Sequence, residues 1–176
     1  MVFVVHVLRV VYSPYIVLSY LGVVMSQSIQ SIVEWFNIAK PNPTNQDIIK
    51  QIAFHCEEFA EMLDAVHCDY MAGKVRELQA SLMLVTNSDE ASDEFMRTVD
   101  NVALLDALCD QVVTATGVAT YMGMKFIPAL DEVNRSNYTK FATDEQGNYV
   151  PYIRPDGKIG KNPDTYQEPD LEPFVY

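Results

Sequence analysis

The chain has 176 residues, 49% of them hydrophobic, and twelve basic against twenty-four acidic side chains leave a formal charge of −12. That length and apolar content exclude a disordered chain and are those of one domain with a real core. The acidity excludes a general nucleic-acid binder, which needs a basic footprint, but not a nucleotide held through a metal ion.

Residues 1–24 carry nine valines and one clear charge, Arg9. This apolar run is close to the span of about 20 residues that crosses a bilayer. It has no basic start, which argues against a signal peptide, and Arg9 and Pro14 interrupt it. We expect an over-extended start, with the protein proper opening at Met25 and residing in the cytoplasm; a membrane anchor or a packed extra segment is the rival reading of this stretch.

From Ser28 to about Lys40, Ile29, Ile32, Val33 and Phe36 recur at helical spacing, until Pro41-Asn42-Pro43-Thr44 stops the helix. Thr44 and Asp47 then have the form of a capping box. A second helix is expected to run to Tyr70 or Met71, on an apolar stripe of Ile48, Ile49, Ile52, Cys56, Phe59 and Leu63, with Gly73 as the break. A shorter helix follows over Val75–Val85, and then a polar loop, 86–92, with Ser92 as a cap. The longest periodic segment runs from Asp93 to about Met122. Gly117 inside it costs about 1 kcal/mol relative to alanine, and the small neighbours Ala115, Thr116 and Ala119 suggest a close helix crossing. Gly123 ends this segment. Pro128 opens a last helix that reaches about Lys140. Residues 141–176, rich in Pro, Gly, Asp and Tyr, read as an extended tail with a small hairpin around Pro155-Asp156-Gly157. The expected organisation is therefore a leader (1–24), an all-α domain (25–140) and an irregular tail (141–176). Cys56, Cys68 and Cys109 are odd in number, lack a C-x-x-C and fall in helical patterns, which suggests reduced thiols serving as small core residues.

The chemistry gathers at His55–Asp64, HCEEFAEMLD. Helical neighbours lie three and four residues apart, so Glu57, Glu61 and Asp64 share a face, with Glu58 one turn from Glu61. Like charges at these spacings cost a helix a few tenths of a kcal/mol per pair. They are tolerated when they face water or when a cation neutralises them. A second acidic step, Asp106 and Asp110, lies four apart on another helix. One such patch alone is most simply a solvated face. Two, each beside strongly apolar positions, suggest facing helices that hold a metal ion, since a cation keeps partly buried carboxylates ionised. All-oxygen ligands select Mg²⁺, with Mn²⁺ as the alternative, and such ions commonly act on phosphate oxygens.

Other chemistries lack their residues. His55-Cys56-Glu57 is not the H-E-x-x-H of a zinc protease. Asp64-Ala65-Val66-His67 is a single weak match to a di-iron motif that needs two. None of the three Gly-Lys pairs is followed by Ser or Thr, so there is no P-loop. A G-x-S-x-G elbow is missing as well. His55 and His67 are read as structural.

Glu58-x-x-Glu61, followed at a distance by an acidic pair ending in Asp110, resembles the signature of the all-α nucleoside triphosphate pyrophosphohydrolases. These include MazG, the phosphoribosyl-ATP pyrophosphohydrolases and the dimeric dUTPases. The resemblance covers roughly residues 28–140. Asp106-Ala-Leu-Cys-Asp110 continuing through Gly117 is similar to the family's acidic helix. Residues 132–141, EVNRSNYTKF, resemble a segment of the phosphoribosyl-ATP pyrophosphohydrolase-like branch. One position departs: the residue three before Asp110 is Ala107 where the family carries an acid, and Asp106 is the nearest carboxylate. The resemblance implies a MazG-like helical bundle, assembled as a homodimer or homotetramer, that cleaves a nucleoside triphosphate to the monophosphate and pyrophosphate. It implies Mg²⁺ on Glu58, Glu61, Asp106 and Asp110, with Glu57 on a second ion or the attacking water. It places Asn134, Arg135, Asn137 and Lys140 on the nucleotide. The bland reading of that last segment is a helix C-terminus with favourably placed cations. Lys158 and Lys161 read as a solvated tail, and Trp35 as a core, interface or base-stacking residue. The alternative for the whole chain is a non-catalytic helical interaction protein, which Ala107 favours.

Overall fold

The computed structural model describes residues 14–154 and 158–175, with side chains from Gln27 onward. Residues 1–13 of the apolar leader and the turn Pro155-Asp156-Gly157 lie outside the described residues. Among the described residues there are six α-helices and one two-stranded sheet, so the fold is all-α, as the periodicity predicts. The chain divides into two compact units, Lys40–Ala115 and Met1–Ala39 with Thr116–Tyr176.

The unit Lys40–Ala115 holds α2 (Asn45–Ala65), α3 (Asp69–Val85), α4 (Asp89–Arg97) and most of α5 (Asn101–Tyr121). The capping box forms as expected: Thr44 accepts from the Asp47 amide, and the Asp47 carboxylate accepts from the Thr44 amide. Lys40 pairs with Asp47 at 3.0 Å. Helices α2 and α3 pack against each other, and Ile49, Ala53, Ala60 and Ala72 are fully buried. Alanine at three of these positions lets the helix backbones approach closely. Helix α4 is tied to the start of α2 through Asn45 to Asp93 at 2.7 Å and Gln46 to Asp89 at 2.8 Å.

Four expected features are corrected here. Helix α2 ends at Ala65, not near Tyr70, because His67 adopts a left-handed backbone with φ 59°. The His67 amide then bonds to the Asp64 carbonyl and the Cys68 amide to the Leu63 carbonyl, each at 2.9 Å, which closes the helix. Gly73 is not a break and lies inside α3. Ser92 is no cap. The cap is Ser88, whose hydroxyl accepts from the Ala91 amide, while Ser92 is buried within α4 and donates to the Ser88 carbonyl. The long segment Asp93–Met122 is two helices, parted where the Asp100 carboxylate accepts from the amides of Val102 and Ala103.

The thiols also differ from expectation: Cys56 is half-buried, but Cys68 and Cys109 are exposed. Cys109 is exposed because α5 lies only lightly against its own unit. Val102 is 81% exposed and Val113 68%, and Leu105, Leu108 and Val112 are also open.

The second unit contains α1 (Pro14–Ala39), α6 (Phe126–Tyr138), β1 (Phe141–Thr143), β2 (Tyr149–Pro151) and a 3-10 turn, Glu172–Phe174. Helix α1 begins before Ser28, and Gly123, with φ 75°, follows the end of α5. A Cβ built on Gly117 meets nothing within 4 Å, so no close crossing occurs there. Trp35, Ala39 and Phe141 form the core, with Trp35 and Phe141 stacked at 5.3 Å. Trp35 is thus a core residue, and its ring N–H donates to the Asn137 carbonyl at 2.9 Å. The strands pair antiparallel, Phe141 opposite Pro151. Their turn is built on Asp144, which accepts from Gln146 and Asn148, and on Gly147 with φ 84°. The antiparallel bridge Ile153–Ile159 flanks the position expected for a hairpin.

Two substitutions test this description by chemical denaturation. Ile49→Ala removes a fully buried side chain and should cost about 2–5 kcal/mol. His67→Gly relieves a left-handed non-glycine backbone and should add up to about 1 kcal/mol.

Candidate functional site

The acidic stretch lies on α2 as expected. Glu57 is half-buried, while Glu58 and Glu61 are exposed. The shared face of Glu57, Glu61 and Asp64 has a protein cation. Arg76, from α3, bonds to Asp64 through both terminal nitrogens. That bond holds the Asp64 carboxyl below its ordinary value. It also raises the Arg76 guanidinium above its own, to which the charges of Glu61 and Glu57 add. Gln79 of α3 donates to Glu57 at 3.1 Å. The sequence pattern reveals the repulsion on this face but not Arg76, which lies on the next helix with no spacing that links it to α2.

Asp106 and Asp110 are exposed on α5. The side chains of His55 on α2 and Gln111 on α5 touch, ring Nε2 to amide Oε1. His55 is one turn before Glu58, and Gln111 follows Asp110. This side-chain contact links α2 to α5 within one unit, while the carboxylates themselves are not gathered into a group. Among the described residues, no three His, Cys, Asp or Glu side chains are grouped so that they could hold a metal ion. The donor set fits a hard divalent cation in chemistry, being all carboxylate and open to water, and Mg²⁺ in particular keeps several waters.

The polar segment belongs to the other unit, on and after α6. Asn134 is buried, and its Oδ1 has no hydrogen-bond donor. Arg135 is engaged by Glu132, Nε to Oε2 and Nη2 to Oε1, both at 2.7 Å, and donates to Gln167 at 3.0 Å. Asn137 is half-buried. The Lys140 ammonium lies 5.9 Å from the centroid of the Trp35 ring. An open cleft of about 560 Å³ adjoins this segment, with Asp131, Asn134 and Tyr138 of α6 on one side and Thr143 and Tyr149 of the hairpin on another.

The tail is extended, as expected, but docked. Ser136 donates to the Gln167 carbonyl at 2.7 Å, the Gln167 amide to Thr139 at 2.9 Å, and the Asp170 amide to Glu132 at 2.9 Å. Glu132, Ser136 and Thr139 lie three and four apart, so one face of α6 binds the tail. Lys161 is not a bare solvated cation: it pairs with Glu168 at 3.4 Å and lies 4.6 Å over the Tyr166 ring. Comparison with protein-family models, with curated proteins and with solved structures gave no match.

The tail contact has a pH signature. The bonds from Arg135, and then from the Asp170 amide, hold the Glu132 carboxyl down to about 2 from 4.5. A depressed carboxyl stabilises fully above its unfolded value and loses that contribution as pH falls through its folded one. Tail protection, read by amide exchange over 165–171, should therefore weaken between 4.5 and about 2. In Glu132→Gln it should be lower at neutral pH and flat across that window.

Proposed function

We propose that the chain is a divalent-cation-dependent nucleotide pyrophosphohydrolase, cleaving the α–β linkage of a nucleoside triphosphate to the monophosphate and pyrophosphate. The observation that supports this reading is the His55–Gln111 side-chain contact, which lies one turn from Glu58 on α2 and next to Asp110 on α5. The resemblance of Glu58-x-x-Glu61 and Asp110 to the pyrophosphohydrolase signature supports it. Glu58, Glu61, Asp106 and Asp110 hold the ion. Mg²⁺ or Mn²⁺ held there would offset phosphate charge and make water more acidic. Glu57, half-buried and bonded by Gln79, would orient the attacking water and take its proton. The assignment of Asn134, Arg135, Asn137 and Lys140 to the nucleotide rests on the resemblance alone.

The non-catalytic reading has one observation in its favour. Arg76 already bonds Asp64 and stands near Glu61 and Glu57, so those carboxylates do not demand a metal. Pyrophosphate release decides between the two readings. A panel of ribo- and deoxynucleoside triphosphates plus phosphoribosyl-ATP is assayed with Mg²⁺, Mn²⁺ or chelator. Metal-dependent release should fall by at least about 100-fold in Glu61→Gln, since even outer-shell partners of a metal cost about 10–100-fold. Folded protein that releases none from any substrate would select the interaction protein.

The proposal includes self-assembly as a homodimer or homotetramer. Val102, Leu105, Leu108, Val112 and Val113 leave α5 apolar and open to solvent in the single chain, a state that marks an interaction surface. By length and composition α5 also suffices to cross a membrane, though Asp106 and Asp110 lie within it. Sedimentation of detergent-free protein should show a dimer or larger species, and Leu105→Asp should shift it towards monomer. A wild-type monomer would remove assembly from the proposal.

A further inference from the structure

We infer that the C-terminal strap, residues 162–175, is an autoinhibitory cover: it occupies the edge of the Arg135 guanidinium that a phosphate group would take, and a phosphate must displace it. The inference rests on the assignment of Arg135 to the nucleotide made above, and it adds how that residue is regulated. A guanidinium has two edges on which an oxyanion seats with paired bonds. On Arg135 the side edge, Nε and Nη2, is held by Glu132 with both bonds at 2.7 Å. The end-on edge, Nη1 and Nη2, meets the strap: Nη1 donates to Gln167 Oε1 at 3.0 Å and Nη2 to the Glu168 carbonyl at 3.4 Å. Glu132 therefore orients the cation while the strap covers the edge that Glu132 leaves open. Glu132 also accepts from the Asp170 amide at 2.9 Å, which ties the strap to both members of the pair.

Both strap acceptors on that edge are neutral. A phosphate oxygen makes bonds about twice as strong to the same N–H groups, so the exchange favours the phosphate. Against it stands the cost of undocking the strap, and the contact keeps that cost low. Between Pro163 and Pro173 only Tyr166 and Pro169 are half-buried, and the other side chains are exposed. The strap is held by polar bonds instead. Gln167 bonds to Ser136 and Thr139, Thr165 donates to the Thr139 carbonyl at 2.7 Å, and the Pro173 and Phe174 carbonyls accept from Lys125. A segment with so little apolar burial opens locally at low free energy. The strap is also acidic, with Asp164, Glu168, Asp170 and Glu172 and no base between Asn162 and Tyr176. Docking lays that charge beside Arg135, and undocking removes it. Competition makes the two events reciprocal: a ligand on Arg135 exposes the strap, and a weaker strap tightens the ligand by the same factor.

The probe is inorganic tripolyphosphate, added to the full chain in chelator so that neither metal nor hydrolysis takes part. Amide exchange over 165–171 should rise with tripolyphosphate and saturate, and should not rise with sodium chloride of equal ionic strength. Ser136→Ala removes the donor to the Gln167 carbonyl, and Gln167→Ala removes an acceptor from Arg135. Each should raise tripolyphosphate affinity, measured calorimetrically, by about three- to tenfold, the worth of one hydrogen bond. Ser136 is buried but differs from alanine by a hydroxyl alone, and Gln167 is exposed, so both variants keep the fold, which circular dichroism verifies. Arg135→Ala should abolish binding, and with it the gain from Ser136→Ala. Tripolyphosphate that binds without exposing the strap, that binds the two strap variants no more tightly, or that does not bind at all would overturn the inference. Pyrophosphate release, assayed separately with metal, would still stand in each of those cases, and its absence with the strap response intact would remove only the catalytic reading.

Discussion

Three like charges on one face of α2 set the constraint around which the unit Lys40–Ala115 is arranged. Glu57, Glu61 and Asp64 repel one another along the helix, and the fold brings Arg76 of α3 against them. That pairing works because α2 and α3 run back along each other from the left-handed turn at His67, over buried alanines. Helix α2 then has two chemically distinct sides. One is neutralised within the chain. The other carries His55 and Glu58 and meets α5 at Gln111, where no lysine or arginine of the described residues is bonded to Asp106 or Asp110. In the proposal, a hard cation held between α2 and α5 does for Asp106 and Asp110 what Arg76 does for Asp64.

Helix α5 makes the same point in apolar terms. A helix this hydrophobic is expected in an interior or at an interface, yet its valines and leucines are open in the single chain. Covering it with a second copy would bury apolar area and surround Asp106 and Asp110 with lower dielectric, where carboxylates without a counter-ion are costly. Assembly and cation binding are coupled in the proposal for that reason.

Much of the fold was legible wherever a local signal and the fold agree. The capping box at Thr44 and Asp47, the stop at Pro41–Pro43, the glycine after α5 and the helix opening near Pro128 all follow from backbone chemistry of a few residues. The misses share a cause. His67 takes a backbone that glycine usually marks, and Asp100 parts α4 from α5 with neither glycine nor proline, so both breaks are hidden from a reading by punctuation. Gly73 errs the other way, a glycine carried inside a helix by the packing of its neighbour Ala72. The hairpin turn at Asp144–Gly147 did have a signal, an acid followed three residues later by glycine, obscured by the irregular composition around it. Of the site, the carboxylates were legible by spacing. Arg76, Tyr149 and the tail contacts of Glu132 depend on residues far apart in sequence, and no periodicity reveals them.

The claim that bears most weight is that α2 and α5 jointly hold a divalent ion. Paramagnetic relaxation by Mn²⁺, titrated at low stoichiometry into isotopically labelled protein, tests it residue by residue. The account predicts saturable broadening of amides around both Glu58–Glu61 and Asp106–Asp110, displaced by Mg²⁺ and lost from both helices together in Glu61→Gln. Broadening confined to one helix, or spread without saturation over the acidic surface, would contradict it.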